Sequence, residues 1–313
     1  MSRRPAATAS GLGLVLALVF GFALGGCGGD DDERQSASQP SKPPVRIGTK
    51  NFTEQYILGE LYKQALELKG FTVELKEDIG SSEIIHRALD GGALDMYPEY
   101  VDLLLSEVAN VRQRPRSPAA AYRAAKAFEE RNGFTLLAQT PFNDSNALAV
   151  KPAYARRHNL REIGDLRRLR KVKLGAPTEF QTRFEGLIGL RERYGLTSRQ
   201  LALKVIDIPD QFGRLDDDRI DAARVNTTDG QLADRDYLIL HDPERVFATN
   251  HVAPVMSRNA LQTHGPRLQA AIDAVSAKLT TAVMRKMNAS VDIYKRTARE
   301  VAAEFLRAAG LTT

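Results

Sequence analysis

Strand-length apolar runs alternate with helix-period patterns along most of this chain, and that alternation allows few folds. Val45 to Ile47 precedes Ile57, Leu58, Leu61, Tyr62, Ala65 and Leu66 at helical spacing, closed by Gly70. Phe71 to Leu75 leads into Ser81-Ser82 and a second helical pattern, Ile84, Ile85, Ala88 and Leu89, closed by Gly91-Gly92. A short run from Leu94 to Tyr97, a helix from about Pro98 to Leu105, a helix near Ala119 to Glu130 and a strand from Phe134 to Ala138 complete a first block. Strands separated by helices build an α/β fold, a mostly parallel sheet with helices on both faces.

The pattern then restarts. Asn146 to Val150, Val172 to Gly175, Leu203 to Ile208, Ala222 to Val225 and Tyr237 to Leu240 read as strands, with helices around Leu160 to Leu169, Phe184 to Tyr194 and Asp210 to Leu215. An extended apolar segment, His251 to Met256, returns to three C-terminal helices. A second α/β lobe, residues 146–251, is therefore expected inside a first lobe made of 45–145 plus 252–313. Two crossover segments, near 145–150 and 250–256, would join them, and such a pair of lobes closes on a ligand by hinge motion. No repeat of 20 to 50 residues is visible, which excludes a solenoid.

The N-terminus fixes the expected compartment. Arg3 and Arg4 lead into an apolar run from Gly11 to Leu24, then Gly25-Gly26-Cys27. A basic head, a short apolar stretch and small residues describe a secretory signal over 1–26. Leu24-Gly25-Gly26-Cys27 resembles a lipobox, and Cys27 is the only cysteine in the chain, so it reads as a lipidation site and not half of a disulfide. Residues 27–44 are mostly Gly, Asp, Ser, Gln, Pro and Lys, a flexible tether. The expectation is an exported protein, lipid-anchored at the outer face of the cytoplasmic membrane.

The net charge of +5 is dispersed, with no nucleic-acid module or basic stripe. The five histidines, His86, His158, His241, His251 and His264, show no metal spacing, and no nucleophile elbow is present. Ser81, His86 and Asp95 can be imagined as a triad, but a serine before a helix and a histidine on its face are the ordinary furniture of a fold. No enzyme, cofactor or metal site is expected.

The segment Gly48-Thr49-Lys50-Asn51-Phe52-Thr53-Glu54-Gln55 joins the first strand to the first helix. Thr53 or Asn51 would serve as a helix cap there. The same turn aims backbone N–H groups and a helix dipole at one spot, where open α/β sheets place ligands. Residues 48–60 resemble the opening of the glycine betaine/choline/carnitine substrate-binding proteins of osmoprotectant ABC transporters, the ProX/OpuBC/OpuCC type. Further segments agree in order: Asp95-Met96-Tyr97-Pro98-Glu99-Tyr100, Pro141 to Val150, Leu174-Gly175-Ala176-Pro177 through Gly186-Leu187, Thr227-Thr228-Asp229-Gly230, and Ala253-Pro254-Val255.

That resemblance implies a type II periplasmic-binding-protein fold, two α/β lobes with a ligand cleft between them. It implies a monomeric, extracytoplasmic solute-binding component that serves an ABC permease and ATPase. The ligand class is a quaternary-amine compatible solute, bound by aromatic faces because such a cation has no N–H to donate. Any carboxylate on it would be held by Arg, Lys, hydroxyls or helix N-termini. Lys50 and Gln55 match positions that face the ligand. Ser82 matches a threonine that donates to the carboxylate, and Arg183 an arginine that clamps it from the second lobe, facing Lys50 and Gln55. Tyr97 and Tyr100 lie in the block near the cleft mouth, and Asp229 sits in the Thr-Thr-Asp-Gly block.

Several residues depart from the pattern. Val101-Asp102-Leu103 stand where the family has Thr-Gly-Thr. Asn146 and Asn226 stand at aromatic positions, and Asn250 and His251 replace tyrosines before the Ala-Pro segment. There is no tryptophan. A cation–π contact is worth about 0.5–2 kcal/mol, so three lost rings would weaken a betaine site roughly tenfold or more. A non-quaternary polar or amino-acid-like solute, or a sensor role for the same cleft, is the alternative.

Overall fold

The computed structural model describes residues 42–206 and 210–312. The expected signal segment, Cys27 and most of the tether lie outside the described residues.

Two five-stranded sheets carry the fold, and their strand orders correspond. The first is built from β1 (Val45–Gly48), β2 (Val73–Lys76), β3 (Met96–Tyr100), β4 (Phe134–Leu136) and β10 (Val252–Ser257), in the order β2-β1-β3-β10-β4. The second contains β5 (Asn146–Val150), β6 (Val172–Ala176), β7 (Leu201–Val205), β8 (Ala222–Asn226) and β9 (Leu238–Ile239), in the order β7-β6-β8-β5-β9. In each sheet three parallel strands are followed by an antiparallel strand that has just arrived from the other sheet: β10 beside β3, and β5 beside β8. The chain therefore passes between the sheets twice.

Each sheet is covered on both faces, as near-continuous apolar strands require. Helix α1 (Thr53–Leu68) buries Ile57, Leu58, Leu61, Tyr62, Ala65 and Leu66, the stripe expected from its spacing. That stripe packs on Val45 and Ile47 and against C-terminal helices carrying Leu268, Ile272, Met284, Val301 and Leu306. The other face of the sheet holds Ile85, Leu89, Tyr97, Leu104 and Ala125. The second sheet is flanked likewise, by Leu148, Leu174 and Leu190 on one face and Ala149, Phe212 and Val225 on the other.

Three local expectations are corrected. Pro98 to Tyr100 belong to β3, not to a helix, because β10 pairs with them across Tyr100–Val252 and Pro98–Pro254. The helix follows only at Val101–Leu103, running into a π-helical turn, Leu104–Val108. Neither Asn51 nor Thr53 caps α1: Phe52 holds the cap position without a side-chain bond, and the Thr53 hydroxyl donates to Asp292 at 2.6 Å. Phe184 to Tyr194 is not one helix but a π-helical turn, Phe184–Ile188, continued by Gly189–Tyr194.

A further contact joins the two sheets' surroundings. The C-terminal helix Thr281–Asp292 packs on the short helix Gln231–Asp234. Gly230 permits this approach, since a Cβ there would lie 2.6 Å from the Ala289 nitrogen.

Candidate functional site

The turn after β1 brings four of the expected residues together. Lys50 is only 5% exposed. Its Nζ donates to Ser82 Oγ at 2.8 Å and pairs with Glu99 Oε1. It also lies 5.0 Å from the centroid of the Tyr100 ring. A lysine this deep needs a counter-charge and further partners to offset lost hydration, and β3 supplies them. Gln55 fastens the turn: its Oε1 accepts from the Lys50 backbone N–H at 3.3 Å and its Nε2 donates to the Pro98 carbonyl at 3.2 Å. Ser82 therefore spends its side chain on Lys50, while Ser81 occupies the cap position of the helix Ser82–Asp90.

Tyr100 sits above this pair, with its hydroxyl donating to Glu54 Oε1 at 2.8 Å. Phe52 stacks on it at 6.1 Å and is 39% exposed. Tyr97 does not join them. Alternation along β3 turns it to the opposite face, where it is buried in the core with its hydroxyl 3.1 Å from His86 Nδ1. His86 is thereby placed in the lobe interior, and burial holds its pKa below the usual value.

The second sheet contributes a polar cluster at the adjoining ends of β5 and β8. Asn146 lies directly opposite Asn226, and Leu148 opposite Arg224. Period-2 alternation therefore puts Asn146, Arg224 and Asn226 on one face. Arg224 Nε donates to Asn146 Oδ1 at 2.7 Å and Nη2 to Asn226 Oδ1 at 2.8 Å. Asn146 Nδ2 donates to Glu185 Oε2 at 3.1 Å. Glu185 in turn pairs with Arg114, from the segment between β3 and β4. Desolvation lowers the Arg224 pKa, opposed by Asp229, Asp144, Glu179 and Glu185. Asp229 accepts from the Asn226 backbone N–H at 2.9 Å, and burial pushes its carboxyl up to about 6.

Arg183 stands apart from this cluster. It is exposed at the start of the Phe184–Ile188 turn, and no hydrogen bond or ion pair holds it among the described residues. It does not meet Lys50 or Gln55 in this conformation. His251 is engaged by the backbone: its Nδ1 lies 3.0 Å from the Thr140 carbonyl and 2.9 Å from that of Phe142. It thus ties the return crossover to the outgoing one.

Four residues of this region escape a reading by motif: Glu54, Asp144, Glu185 and Arg224. Arg224 had a visible signal, since a charge inside Ala222-Ala223-Arg224-Val225-Asn226 breaks an otherwise apolar strand. Glu54 and Asp144 had none, because each looks like an ordinary surface acid. In the fold they face one another where the crossovers meet α1. Asn288 Nδ2 donates to Glu54 Oε2 at 3.1 Å and to the Thr228 carbonyl at 2.9 Å. Burial first, and Asp144 second, push the Glu54 carboxyl up to about 8. Burial likewise raises that of Asp144.

A cavity of about 600 Å³ opens beside this cluster. Its walls come from both blocks, Asp102 and Arg114 on one side and Phe184, Glu185 and Arg245 on the other, with Asn250 of the return crossover also lining it. Charged groups of both signs line it, so it suits a polar solute with hydrogen-bonding ends. Among the described residues no group of three or more His, Cys, Asp or Glu side chains could hold a metal ion. No helix among them is long and apolar enough to cross a membrane.

Two α/β lobes, two crossovers and a polar cleft lined from both sides define a solute-binding protein with the type II periplasmic-binding fold. Residues 43–308 match the OpuAC family, the substrate-binding domain of ABC-type glycine betaine transport systems, and the chain belongs to that family. It is 31% identical over 273 residues to a glycine-betaine-binding protein of Pseudomonas aeruginosa, covering 84% of this chain and 87% of that one. It is 27% identical to the glycine betaine-binding protein YehZ of Escherichia coli, over 86% of this chain and 92% of the relative. Among solved structures, that of a glycine betaine/carnitine/choline ABC transporter superposes with a TM-score of 0.80 at 23% identity, covering 86% of this chain and 100% of that one. Members of this family are solute carriers of ABC importers, not enzymes; their partners are a small solute and the permease and ATPase.

Proposed function

We propose that this protein captures a compact quaternary-amine solute, glycine betaine or a close relative, in the cleft between its lobes and delivers it to an ABC permease. The observation that supports this most directly is the cavity of about 600 Å³ lined from both blocks, by Asp102 and Arg114 on one side and Glu185 and Arg245 on the other, with Glu185 accepting from Asn146 of the second-sheet cluster. Lobe 1 is taken as 45–145 plus 252–313 and lobe 2 as 146–251. The ligand set is Lys50, Gln55, Ser82, Tyr100, Asn146, Asn226 and Asp229, with Arg183 swinging in on closure. His251 shapes the crossover. Tyr97 acts from the core behind Glu99.

The protein works as a monomer outside the cytoplasmic membrane, held by a lipid on Cys27 after removal of residues 1–26. A Cys27→Ser change then shifts it from the membrane fraction to the soluble one. Titration calorimetry of residues 42–313 with glycine betaine, choline, carnitine and proline betaine tests the ligand assignment, and saturable binding of at least one is expected. A second reading, a non-quaternary polar solute, is favoured by the asparagines at the aromatic positions. Binding of a common amino acid with none of the quaternary amines would establish it instead.

A further inference from the structure

The net charge of +5 hides an uneven division. Residues 151–173 carry nine Lys and Arg against two acids, Glu162 and Asp165, so this stretch is +7 and the rest of the chain sums to −2. The dispersal expected from the whole chain therefore fails within lobe 2. Local packing turns these cations outward. Between β5 and β6, the helix Pro152–His158, the 3₁₀ turn Ile163–Arg168 and their connection bury Ala155, Leu160, Ile163 and Leu166 in the core of the second sheet. The positions between those apolar anchors are left to water. Asn159, at φ 51°, ends the helix, and Glu162 with Asp165 caps the turn that follows. Both acids of the stretch are thus engaged by backbone N–H groups. Arg168 pairs with Asp165 at 3.1 Å and donates to the Asn159 carbonyl at 2.7 Å. Lys151 and Lys173 are held at the margin by Asp218 and Asp221. Arg156, Arg157, Arg161, Arg170 and Lys171 are exposed, and no ion pair holds any of them among the described residues.

This patch occupies the end of lobe 2 away from the solute wall. β5 leaves the wall at Asn146 and ends at Val150, roughly 13 Å farther along the strand. β6 starts at Val172 and runs back alongside β8, which ends at Asn226 in the wall. Residues 151–171 join the two far ends. A partner seated there leaves the cleft uncovered. We propose that this pole of lobe 2 docks on the anionic face of a phospholipid membrane. Charge complementarity selects phosphate: six of the nine cations are arginines, whose planar forks grip phosphate oxygens and stay charged at every physiological pH. The lack of an apolar anchor selects a lipid layer over a protein. No large exposed hydrophobic side chain falls within 151–173, whereas stable protein interfaces are built around buried aromatic or aliphatic groups. A fluid layer of headgroups lets each guanidinium take its own phosphate without a matching shape. A bilayer is at hand, because members of this family serve a membrane permease. The inference is independent of which solute the cleft holds.

The test is co-sedimentation of residues 42–313 with vesicles of phosphatidylcholine, alone or mixed with about one third phosphatidylglycerol. These residues form one compact unit with both sheets and lack Cys27, so no acyl chain contributes. The protein should bind the mixed vesicles at about 50 mM salt, leave them at about 500 mM, and ignore pure phosphatidylcholine. A triple variant of the patch, Arg157→Gln, Arg161→Gln and Arg170→Gln, should weaken binding about a hundredfold, at roughly fivefold per arginine. Its melting temperature should be unchanged, since all three side chains are exposed and unpaired. A triple of equal charge on lobe 1, Lys278→Gln, Arg299→Gln and Arg307→Gln, should stay within about fivefold of the wild type. No binding to the mixed vesicles at either salt, equal binding to both kinds of vesicle, or equal losses in the two triples overturns the inference. Binding to duplex DNA or to an acidic polypeptide at about 150 mM salt, without binding to the mixed vesicles, overturns it as well.

Discussion

Lys50→Met is the most informative single change to the first-lobe half of the site. It keeps the length and apolar character of the stem and deletes the charge. Glu99 is 1% exposed and its Oε2 has no donor even now, so the change leaves a buried carboxylate with one remaining bond, from the Tyr100 backbone N–H at 2.7 Å. Removing one partner of a buried ion pair costs about 3–5 kcal/mol. At about 2–4 °C per kcal/mol for a protein of this size, the melting temperature should fall by roughly 6–20 °C. The loss comes from the orphaned charge and not from lost attraction. Adding Glu99→Gln, which still accepts from Tyr100, should therefore recover at least half of it. Urea unfolding followed by circular dichroism measures both variants. A Lys50→Met loss below about 1 kcal/mol, or no recovery in the double variant, would refute the argument that the pair is held by mutual burial.

Other changes probe separate parts of the reasoning. Gly230→Ala drives a methyl against the Ala289 backbone and should cost about 1–3 kcal/mol as overpacking; an unchanged urea midpoint would show that the helix can give way. Glu129 is buried with neither carboxyl oxygen bonded, and burial pushes its carboxyl up to about 8. Its contribution to stability is present below the ordinary glutamate pKa of 4.5 and lost as pH rises through about 8. Glu129→Gln should accordingly leave melting near pH 4 unchanged and raise it near pH 8.5; equal effects at both would contradict the sign. Arg183→Ala should weaken glycine betaine and spare choline, which has no carboxylate. Equal loss of the two, or no loss, would end its role as a carboxylate clamp.

Much of the fold was legible in the order of residues because its signals are local. The stripe from Ile57 to Leu66 and the restart of the strand and helix pattern after Asn146 can be counted directly. The turn from Gly48 to Gln55, with the Asp95–Tyr100 and Pro141–Val150 blocks, pointed to the solute-binding family by resemblance. What could be misread were elements whose identity depends on distant partners. Pro98 to Tyr100 look like the start of a helix, and become a strand because β10 returns from the other lobe to pair with them.

The site divides in the same way. Lys50, Gln55 and Ser82 were named through the resemblance, which matches them to ligand-facing positions of the family. Their roles were decided by packing: Lys50 is locked to Glu99 and Ser82, Tyr97 turns into the core, and Arg183 is left on the surface. Asn146 and Asn226 announced the loss of aromatic rings, but not what replaced them. Arg224, Glu54 and Asp144 come together only when the crossovers bring α1, β5 and β8 to one point. A carboxylate's chemistry depends on the charges and solvent around it in space. Residue order determined the two-lobed scaffold and its family, whereas the tertiary structure decided which charges meet in the cleft.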